Sequence, residues 1–213
     1  MSNQLISIWN ANFDIGVSSI VIPDGCRDLI VKTVGNDKPE WFVSPLFDSA
    51  ELIQITGSCS YVGFRLNPGI QIRERELLTY IETKQLAADE VSDIINEFVG
   101  LDYSVQEALG CLASELGTVK QASVQLGVSV RTLQRLLISK TKRTPGYWSQ
   151  LARIRKAAKN ISSDVCLADV AEKYGFSDQS HMNREFQRWF RLTPIQLLDT
   201  PEVIRQLNAQ GYD

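Results

Sequence analysis

In the first third of the chain, apolar residues alternate with polar ones over short stretches that end at turn residues. Valine, isoleucine and aromatic residues dominate these stretches, a composition typical of β-strands. Turn-forming groups such as Pro23, Asp24 and Gly25 separate neighbouring stretches. The predicted strands cover residues 5–9, 18–22, 28–34, 40–43, 51–56 and 61–66. Because no helical segment lies between them, they predict a small antiparallel sheet or barrel.

From residue 74 onward the apolar spacing becomes that of helices, which we predict at 74–86, 89–99 and 104–116. In the second of these, Val91, Ile95 and Phe98 share one face, and Gly100 follows as a C-cap. Two interpretations of this amphipathic helix stay open. It either mediates dimerisation or packs on its own sheet.

A helix-turn-helix pattern covers residues 118–139. Thr118 can cap a helix in which the small Ala122 allows a second helix to cross closely, and Gly127 supplies a left-handed turn residue. Ser129 can then cap the second, or recognition, helix. The predicted inward-facing residues are Val119, Ala122 and Leu126 on the first helix, and Val130, Leu133, Leu136 and Leu137 on the second.

The same pattern returns at residues 167–190. Ala171, Gly175 and Ser177 take the places of Ala122, Gly127 and Ser129. The recognition helices align at an offset of 49 residues, which pairs Leu133 with Met182, Leu137 with Phe186 and Pro145 with Pro194. The two glycines are 48 residues apart, so the second turn is one residue longer. A basic helix at 146–160 is predicted to join the two units.

Charge is distributed unevenly in this chain of net charge −3. Residues 1–100 hold 7 Lys/Arg against 14 Asp/Glu, whereas residues 118–194 hold 14 against 5. A compact basic segment in an acidic protein is typical of a polyanion-binding module. Composition and charge leave RNA and membrane surfaces open, but the two helix-turn-helix patterns favour DNA. The sequence contains no run of about 18 apolar residues, so no membrane span is expected.

With both patterns in place, residues 105–198 resemble the AraC/XylS family of bacterial transcription regulators. The resemblance rests on Ser129, Arg131, Leu133 and Arg135 in the first unit, and on Ala171, Gly175, Phe176, Ser177, Ser180, Phe186, Thr193 and Pro194 in the second. Three positions depart from the family pattern: Lys142 and Arg191 stand where glycine is usual, and Met182 where an aromatic is usual.

The resemblance implies an α+β protein in three parts. Residues 1–100 form a sensor or dimerisation domain, a small antiparallel, cupin-like sheet or barrel with helices. Residues 101–200 form an all-α AraC-type domain with two helix-turn-helix motifs, and residues 201–213 form a C-terminal tail. The resemblance also implies that the protein binds a small-molecule effector, forms a homodimer through its N-terminal domain and contacts RNA polymerase.

An α-helix in the major groove reads bases with its outward face only. On the first recognition helix that face carries Arg131, Gln134 and Arg135, which match base-contacting positions of the family. Arginine binds guanine and glutamine binds adenine bidentately. The equivalent residues of the second helix are Gln179, Ser180, His181 and Arg184, of which Arg184 aligns with Arg135. The alternative to base reading is that these side chains are merely solvated or bound to phosphate. For His181, a surface or phosphate role is as well supported as base reading.

A larger set of cations is predicted to contact phosphates and to position the protein rather than specify sequence. They are Lys140, Lys142, Arg143, Arg153, Arg155, Lys156, Lys159, Arg188 and Arg191. Six to ten such contacts would lower DNA affinity roughly 10³–10⁵-fold between 50 and 200 mM salt. The aromatic residues among them, Tyr147, Trp148 and Trp189, are predicted to be core.

The N-terminal half carries fewer signals. Arg27 and Arg65 are candidates for binding an anionic effector, with ion pairing to nearby carboxylates as the alternative. This half contains no histidine, and the chain has no P-loop, G-x-S-x-G or CxxC pattern. No metal, cofactor or enzymatic activity is therefore expected. The scattered Cys26, Cys59, Cys111 and Cys166 indicate reduced cytoplasmic thiols.

Together these observations predict a cytoplasmic, sequence-specific regulator that binds double-stranded promoter DNA and activates transcription. The connecting helix spans roughly 20 Å, and adjacent major-groove faces are about 34 Å apart, so one chain should cover two neighbouring grooves. The alternative is a ligand- or protein-binding adaptor that modulates another regulator and keeps only a weak DNA module. A barrel enzyme is a third hypothesis, and it would require a bound metal.

Overall fold

A computed structural model describes residues 4–14, 16–55, 57–114 and 117–213 of the chain. Two of the predicted elements, the strand at 51–56 and the helix at 104–116, end on residues outside this described part. The chain divides into two units. The second unit contains Tyr103–Asp213 together with two short segments from earlier in the chain, Ile20–Gly25 and Phe47–Glu51.

The strands of the described chain are β1 (Leu5–Phe13), β2 (Ser18–Val21), β3 (Arg27–Val34), β4 (Glu40–Val43), β5 (Glu51–Gln54), β6 (Cys59–Leu66), β7 (Gln71–Ile72) and β8 (Val99–Gly100). Four of them form an antiparallel sheet in the order β1-β6-β3-β4, so β1 and β4 lie at its edges. Leu29 of β3 lies opposite Phe64 of β6, and both are buried. Strands β2 and β5 pair with each other, as do β7 and β8. The predicted antiparallel sheet in the N-terminal half is confirmed.

Two helices, α1 (Glu74–Lys84) and α2 (Ala88–Phe98), complete the core of the first unit. Leu77 and Ile81 of α1 pack with Val91 and Ile95 of α2 in one cluster, which also includes buried residues of β3 and β6 such as Phe64. Burying each such side chain contributes about 1.5–3 kcal/mol. The apolar face of α2 is thus used inside its own unit, which supports packing rather than dimerisation.

The second unit is helical: α3 (Tyr103–Leu112), α4 (Val119–Gln125), α5 (Val130–Thr141), α6 (Pro145–Lys159), α7 (Leu167–Lys173), α8 (Gln179–Phe190), α9 (Pro194–Leu198) and α10 (Pro201–Asn208). Helix α6 lies at its centre and packs against α3, α4, α5, α8 and α10. Trp148, Leu151 and Ile154 are its fully buried apolar anchors. No helix in the described part of the chain is long and apolar enough to cross a membrane.

The prediction of a C-terminal tail at 201–213 is wrong. Pro201 begins α10, in which Val203 and Leu207 are spaced one helical turn apart and are buried. After the helix, the Tyr212 hydroxyl donates to the carbonyl of Leu109 at 2.9 Å, and its ring packs edge-on against Trp148. The last residues are therefore part of the core of the second unit.

Candidate nucleic-acid interface

The first helix-turn-helix motif consists of α4, a turn and α5. Thr118 caps α4: its Oγ1 accepts the N–H of Gln121, and the Gln121 side chain accepts the N–H of Thr118, both at 3.2 Å. Gly127 occupies the left-handed region at φ +64°. Ser129 caps α5, since its Oγ accepts the N–H of Thr132 at 3.1 Å. Both predicted caps and the predicted turn glycine are confirmed.

The second motif consists of α7, a longer turn and α8. Gly175 is left-handed at φ +69°, as predicted. The predicted cap, Ser177, is wrong: Asp178 caps α8, and its Oδ1 accepts the N–H of His181 at 2.6 Å. The extra turn residue moves the cap one position later. This backbone hydrogen bond holds the pKa of Asp178 below its usual range, helped by the Ser177 hydroxyl and the charge of Arg184.

The inward faces of the two recognition helices match their alignment. Leu133 and Leu137 of α5 are buried, as are Met182 and Phe186 at the aligned positions of α8. Met182 is fully buried, so the departure from an aromatic residue leaves the core filled. Val130, predicted to face inward, is exposed at the margin of that face.

Three more of the predicted inward residues, Val119, Leu126 and Leu136, are only partly buried. The apolar surface that the first motif buries is therefore narrower than the sequence pattern indicates, and Ala122 is the one buried member of the set predicted for its first helix.

The outward faces carry the predicted base-contacting residues. Arg131, Gln134 and Arg135 are exposed on α5, and Gln179, Ser180 and Arg184 are exposed on α8. His181 differs, because its Nδ1 lies 3.2 Å from the N–H of Ser177 and its ring packs edge-on against Phe176. His181 therefore acts in the turn, and only part of it remains accessible.

Asn183 was not among the sequence candidates. It lies 49 residues after Gln134, so it occupies the corresponding position on α8. Its side chain is half-buried, and its Oδ1 has no hydrogen-bond partner within the described part of the chain. Applying the repeat offset to Gln134 would have identified this position.

Both recognition helices end at a residue in the left-handed region. Lys142 has φ +60° and is the C-cap of α5, and Arg191 has φ +56° and is the C-cap of α8. These are the two positions at which glycine was expected from the family pattern. The helices thus terminate by the usual left-handed geometry, with a cation in place of a glycine.

Among the predicted phosphate-contacting residues, Lys140, Lys142, Lys159, Arg188 and Arg191 are exposed. Three others are half-buried. The guanidinium of Arg153 lies over the ring of Phe176 at 4.8 Å, and the ammonium of Lys156 donates to the carbonyl of Ala113. Arg143 packs over the ring of Tyr147 at 5.2 Å.

Some exposed cations also have protein partners. Lys159 pairs with Asp213, and Arg188 lies 3.5 Å from a carboxylate oxygen of Glu185 and 3.2 Å from the side-chain oxygen of Gln150. The side chain of Arg188 is exposed, so its contacts are weak enough to be exchanged for contacts with phosphate, whereas the Lys159–Asp213 pair is partly buried.

The prediction that Arg155 contacts phosphate is wrong. Its side chain is 0 % exposed and donates to the carbonyls of Pro23 at 3.2 Å and Leu207 at 3.4 Å. It connects α6 to α10 and to the segment Ile20–Gly25. The signal was present in the sequence, because Arg155 follows Trp148 and Leu151 on the same face of α6.

The two candidate effector-binding arginines of the first unit are engaged by carboxylates. Arg27 lies 2.7 Å from Glu74 and also donates to the carbonyl of Ser44 at 2.9 Å. Arg65 lies 3.3 Å from Asp28. Ion pairing, the alternative interpretation, accounts for both residues, so neither supports an anion site.

The described residues contain no group of three or more His, Cys, Asp or Glu side chains arranged to hold a metal. None of the four cysteines forms a disulfide; Cys26 and Cys111 are buried and Cys166 is exposed. As predicted, Trp148 and Trp189 are core residues, whereas Tyr147 is only half-buried, and burial raises the pKa of its hydroxyl.

Comparison with known proteins agrees with this geometry. Residues 123–200 match the family model described as a helix-turn-helix domain. Over 120 residues the chain is 30% identical to the HTH-type transcriptional regulator VirS of Mycobacterium tuberculosis. The matched region covers 54% of this chain and 34% of that protein. Over 153 residues it is 27% identical to the HTH-type transcriptional activator RhaS of Escherichia coli, covering 62% of this chain and 55% of that protein. The chain thus spans between a third and about half the length of these relatives.

Two solved structures are also similar. The C-terminal domain of AraT, a response regulator from Geobacillus stearothermophilus, is 20% identical, with 46% of this chain and 86% of that chain covered and a TM-score of 0.43. ToxT from Vibrio cholerae is 10% identical, with 91% and 97% covered and a TM-score of 0.46.

Proposed function

We propose that this chain is a transcription regulator that binds promoter DNA sequence-specifically, because residues 123–200 match the model of a helix-turn-helix domain. One observation carries the proposal. Two capped recognition helices in the same unit present arginines at equivalent exposed positions, Arg135 on α5 and Arg184 on α8. A helix that exposes arginine and glutamine near its first turns, above a buried apolar face, has what major-groove reading requires.

In the proposed complex α5 and α8 enter adjacent major grooves on one side of the duplex. Helix α6 has 15 residues, which gives a length of about 22 Å. Successive major-groove faces are about 34 Å apart, so the duplex bends modestly toward the protein to accept both helices. Arg131 and Arg135 bind guanine O6 and N7, and Gln134 binds adenine N6 and N7.

Cations at the ends of the recognition helices fix the register by binding phosphates. Lys140 and Lys142 serve α5, and Arg188 and Arg191 serve α8. These contacts carry no sequence information, but they supply most of the sequence-independent affinity.

The direction of regulation is proposed from similarity. RhaS is a transcriptional activator, and we extend activation to this chain, with RNA polymerase as the contacted partner. A bacterial cytoplasmic location follows from action on promoter DNA. A small-molecule effector and a homodimer through the first unit rest on the family resemblance, and neither Arg27 nor Arg65 serves as the effector site.

Selection from random-sequence duplexes tests the proposal, and we expect a defined site to be enriched. Substituting Arg135→Ala or Arg184→Ala should then cost about 1–3 kcal/mol each on that site and relax specificity at one position. Arg75→Ala, at an exposed position of α1, is the matched control and should leave binding unchanged. Absence of any enriched sequence, with both arginine variants binding like wild type, would reject DNA reading and favour the adaptor.

A further inference from the structure

The segment Phe47–Glu51, here called the acidic strap, belongs to the second unit although it lies in the N-terminal part of the sequence. Its backbone is anchored at two points. The N–H of Ala50 donates to the carbonyl of Trp189 at 2.8 Å, and the Tyr147 hydroxyl donates to the carbonyl of Phe47 at 2.9 Å. Ala50 is fully buried. The strap therefore holds its place without help from its charged side chains.

Both carboxylates of the strap meet cations at the exits of the recognition helices. Asp48 lies 3.0 Å from Arg143, which follows the C-cap of α5, and Glu51 lies 3.5 Å from Arg191, the C-cap of α8. One short acidic segment thus neutralises a cation at each of the two helix-turn-helix motifs.

Both guanidiniums are among the groups predicted to contact the DNA backbone, and each is paired with a carboxylate that a phosphate would have to replace. The pairs are accessible to solvent, since Asp48 is 69% and Glu51 48% exposed. Exposed ion pairs are weak, whereas neutralising a phosphate also releases condensed counterions. DNA can therefore displace the carboxylates, but with less gain in affinity than free arginines would provide.

We propose that the acidic strap is an autoinhibitory contact, in which Asp48 and Glu51 compete with DNA phosphates for Arg143 and Arg191. The inference rests on the proposed DNA-binding function. Leu46 and Leu52, the residues on either side of the strap, belong to the first unit, so the strap is continuous in the chain with that unit at both ends. A regulated change in the strap would set how much affinity the two arginines contribute.

The test compares wild type with the double variant Asp48→Asn, Glu51→Gln, which removes the charges and keeps the backbone anchors. Affinity for a fluorescent duplex of random sequence is measured by anisotropy over a series of salt concentrations. We expect the variant to bind about 3- to 10-fold tighter, with a slope of log K against log salt steeper by up to about 2.

A charge-matched control, Asp169→Asn with Glu172→Gln on α7, removes two exposed carboxylates of the same unit. It should change affinity less than about twofold, since through-space effects at the surface are screened. The double substitution Arg143→Gln, Arg191→Gln is then made in the strap variant and in wild type. We expect it to reduce DNA affinity several-fold more in the strap variant, where the arginines have lost their carboxylate partners. Thermal melts establish that every variant is folded.

Two results would overturn the proposal: strap variants that bind no tighter than the α7 control, or arginine substitutions that cost the same in both backgrounds. Because the probe has no chosen sequence, the comparison holds even if selection enriches no site. A result that rejects the proposed DNA-binding function can therefore be distinguished from one that rejects the autoinhibitory role of the acidic strap.

Discussion

Lys142 and Arg191 adopt a backbone conformation that side chains with a Cβ rarely adopt. Each ends a recognition helix at positive φ, +60° and +56°. Glycine would be easier to accommodate there. In return, each places a cation beside the helix C-terminus, where it complements the helix dipole, and at the edge of the proposed DNA surface. Arg191 also contacts Glu51 of the acidic strap. The backbone strain at Lys142 and Arg191 is what we expect if their positive charge is needed to bind DNA.

Lys142→Gly should therefore increase the free energy of unfolding by about 1 kcal/mol while weakening DNA binding. The measurements are urea denaturation and anisotropy with duplex DNA. Lys140→Gly, two residues earlier inside α5, is the control and should lose about 1 kcal/mol, because glycine is unfavourable in a helix interior. If both variants were destabilised alike, the account of strain at Lys142 would be incorrect.

Arg155 shows how a charged residue can be structural. With its side chain buried, its guanidinium is the donor that reaches the carbonyls of Pro23 and Leu207. Arg155→Met would keep the length of the side chain and leave those two carbonyls without that donor, and we expect a loss of about 3 kcal/mol in unfolding free energy. Arg153→Met, on the same helix but half-buried, should lose less than about 1 kcal/mol. Equal losses in calorimetry would contradict the structural role.

At the scale of elements, the recognition helices are set by their first residues. Ser129 caps α5 and Asp178 caps α8, although the sequences of the two motifs align Ser129 with Ser177. The one-residue difference between the turns moves the cap from serine to aspartate. The start of α8 thus follows the 49-residue offset of the buried faces of the recognition helices, and not the 48-residue offset of the turn glycines.

Asp178→Ala should lower the thermal midpoint, whereas Ser177→Ala should leave it nearly unchanged. The pKa of Asp178 is depressed in the folded state, so its contribution is present above the ordinary carboxyl pKa. It is lost as the pH falls through the depressed value. Melting curves from neutral to strongly acidic pH should therefore show the Asp178→Ala difference disappearing in acid. A larger effect of Ser177→Ala would contradict the assignment of the cap.

Periodicity and capping residues were enough to predict most elements, because strands β3, β4 and β6 and helices α4 to α8 each carry a local signal. Arg155 and α10 were missed for a different reason. Their environment is created by contacts between segments far apart in sequence, such as Leu207 with Arg155 and Tyr212 with Leu109. The strap was missed likewise, since no pattern around Phe47–Glu51 indicates that it packs with residues 143–191.

For the candidate site, the exposed arginines were predictable from the repeat, since an outward face follows directly from an inward one. The protein groups that pair with the basic side chains could not be predicted from the sequence. Composition shows that residues 118–194 are basic, but only the structure shows that Arg155 is buried and that Arg143 faces Asp48.

For the whole molecule, the structure reduces the number of cations available to DNA. Five of the predicted phosphate-binding residues lie at the C-terminal ends of the recognition helices: Lys140, Lys142, Arg188 and Arg191, which are exposed, and Arg143, which is half-buried. Five phosphate contacts give a slope of log K against log salt of about −4.5, hence about a 500-fold loss of affinity between 50 and 200 mM salt. Anisotropy titrations measure this directly. A slope steeper than about −6 would show that the half-buried Arg153 and Lys156 also reach the backbone.

In the proposed complex, one chain reads two adjacent major grooves, one with α5 and the other with α8. Methylation protection of the selected site tests this arrangement, with wild type, Arg135→Ala and Arg184→Ala compared on the same duplex. We expect two groups of protected guanines about 10 base pairs apart, with each variant losing only one group. A single protected group, or loss of the same group in both variants, would contradict reading of two grooves by one chain.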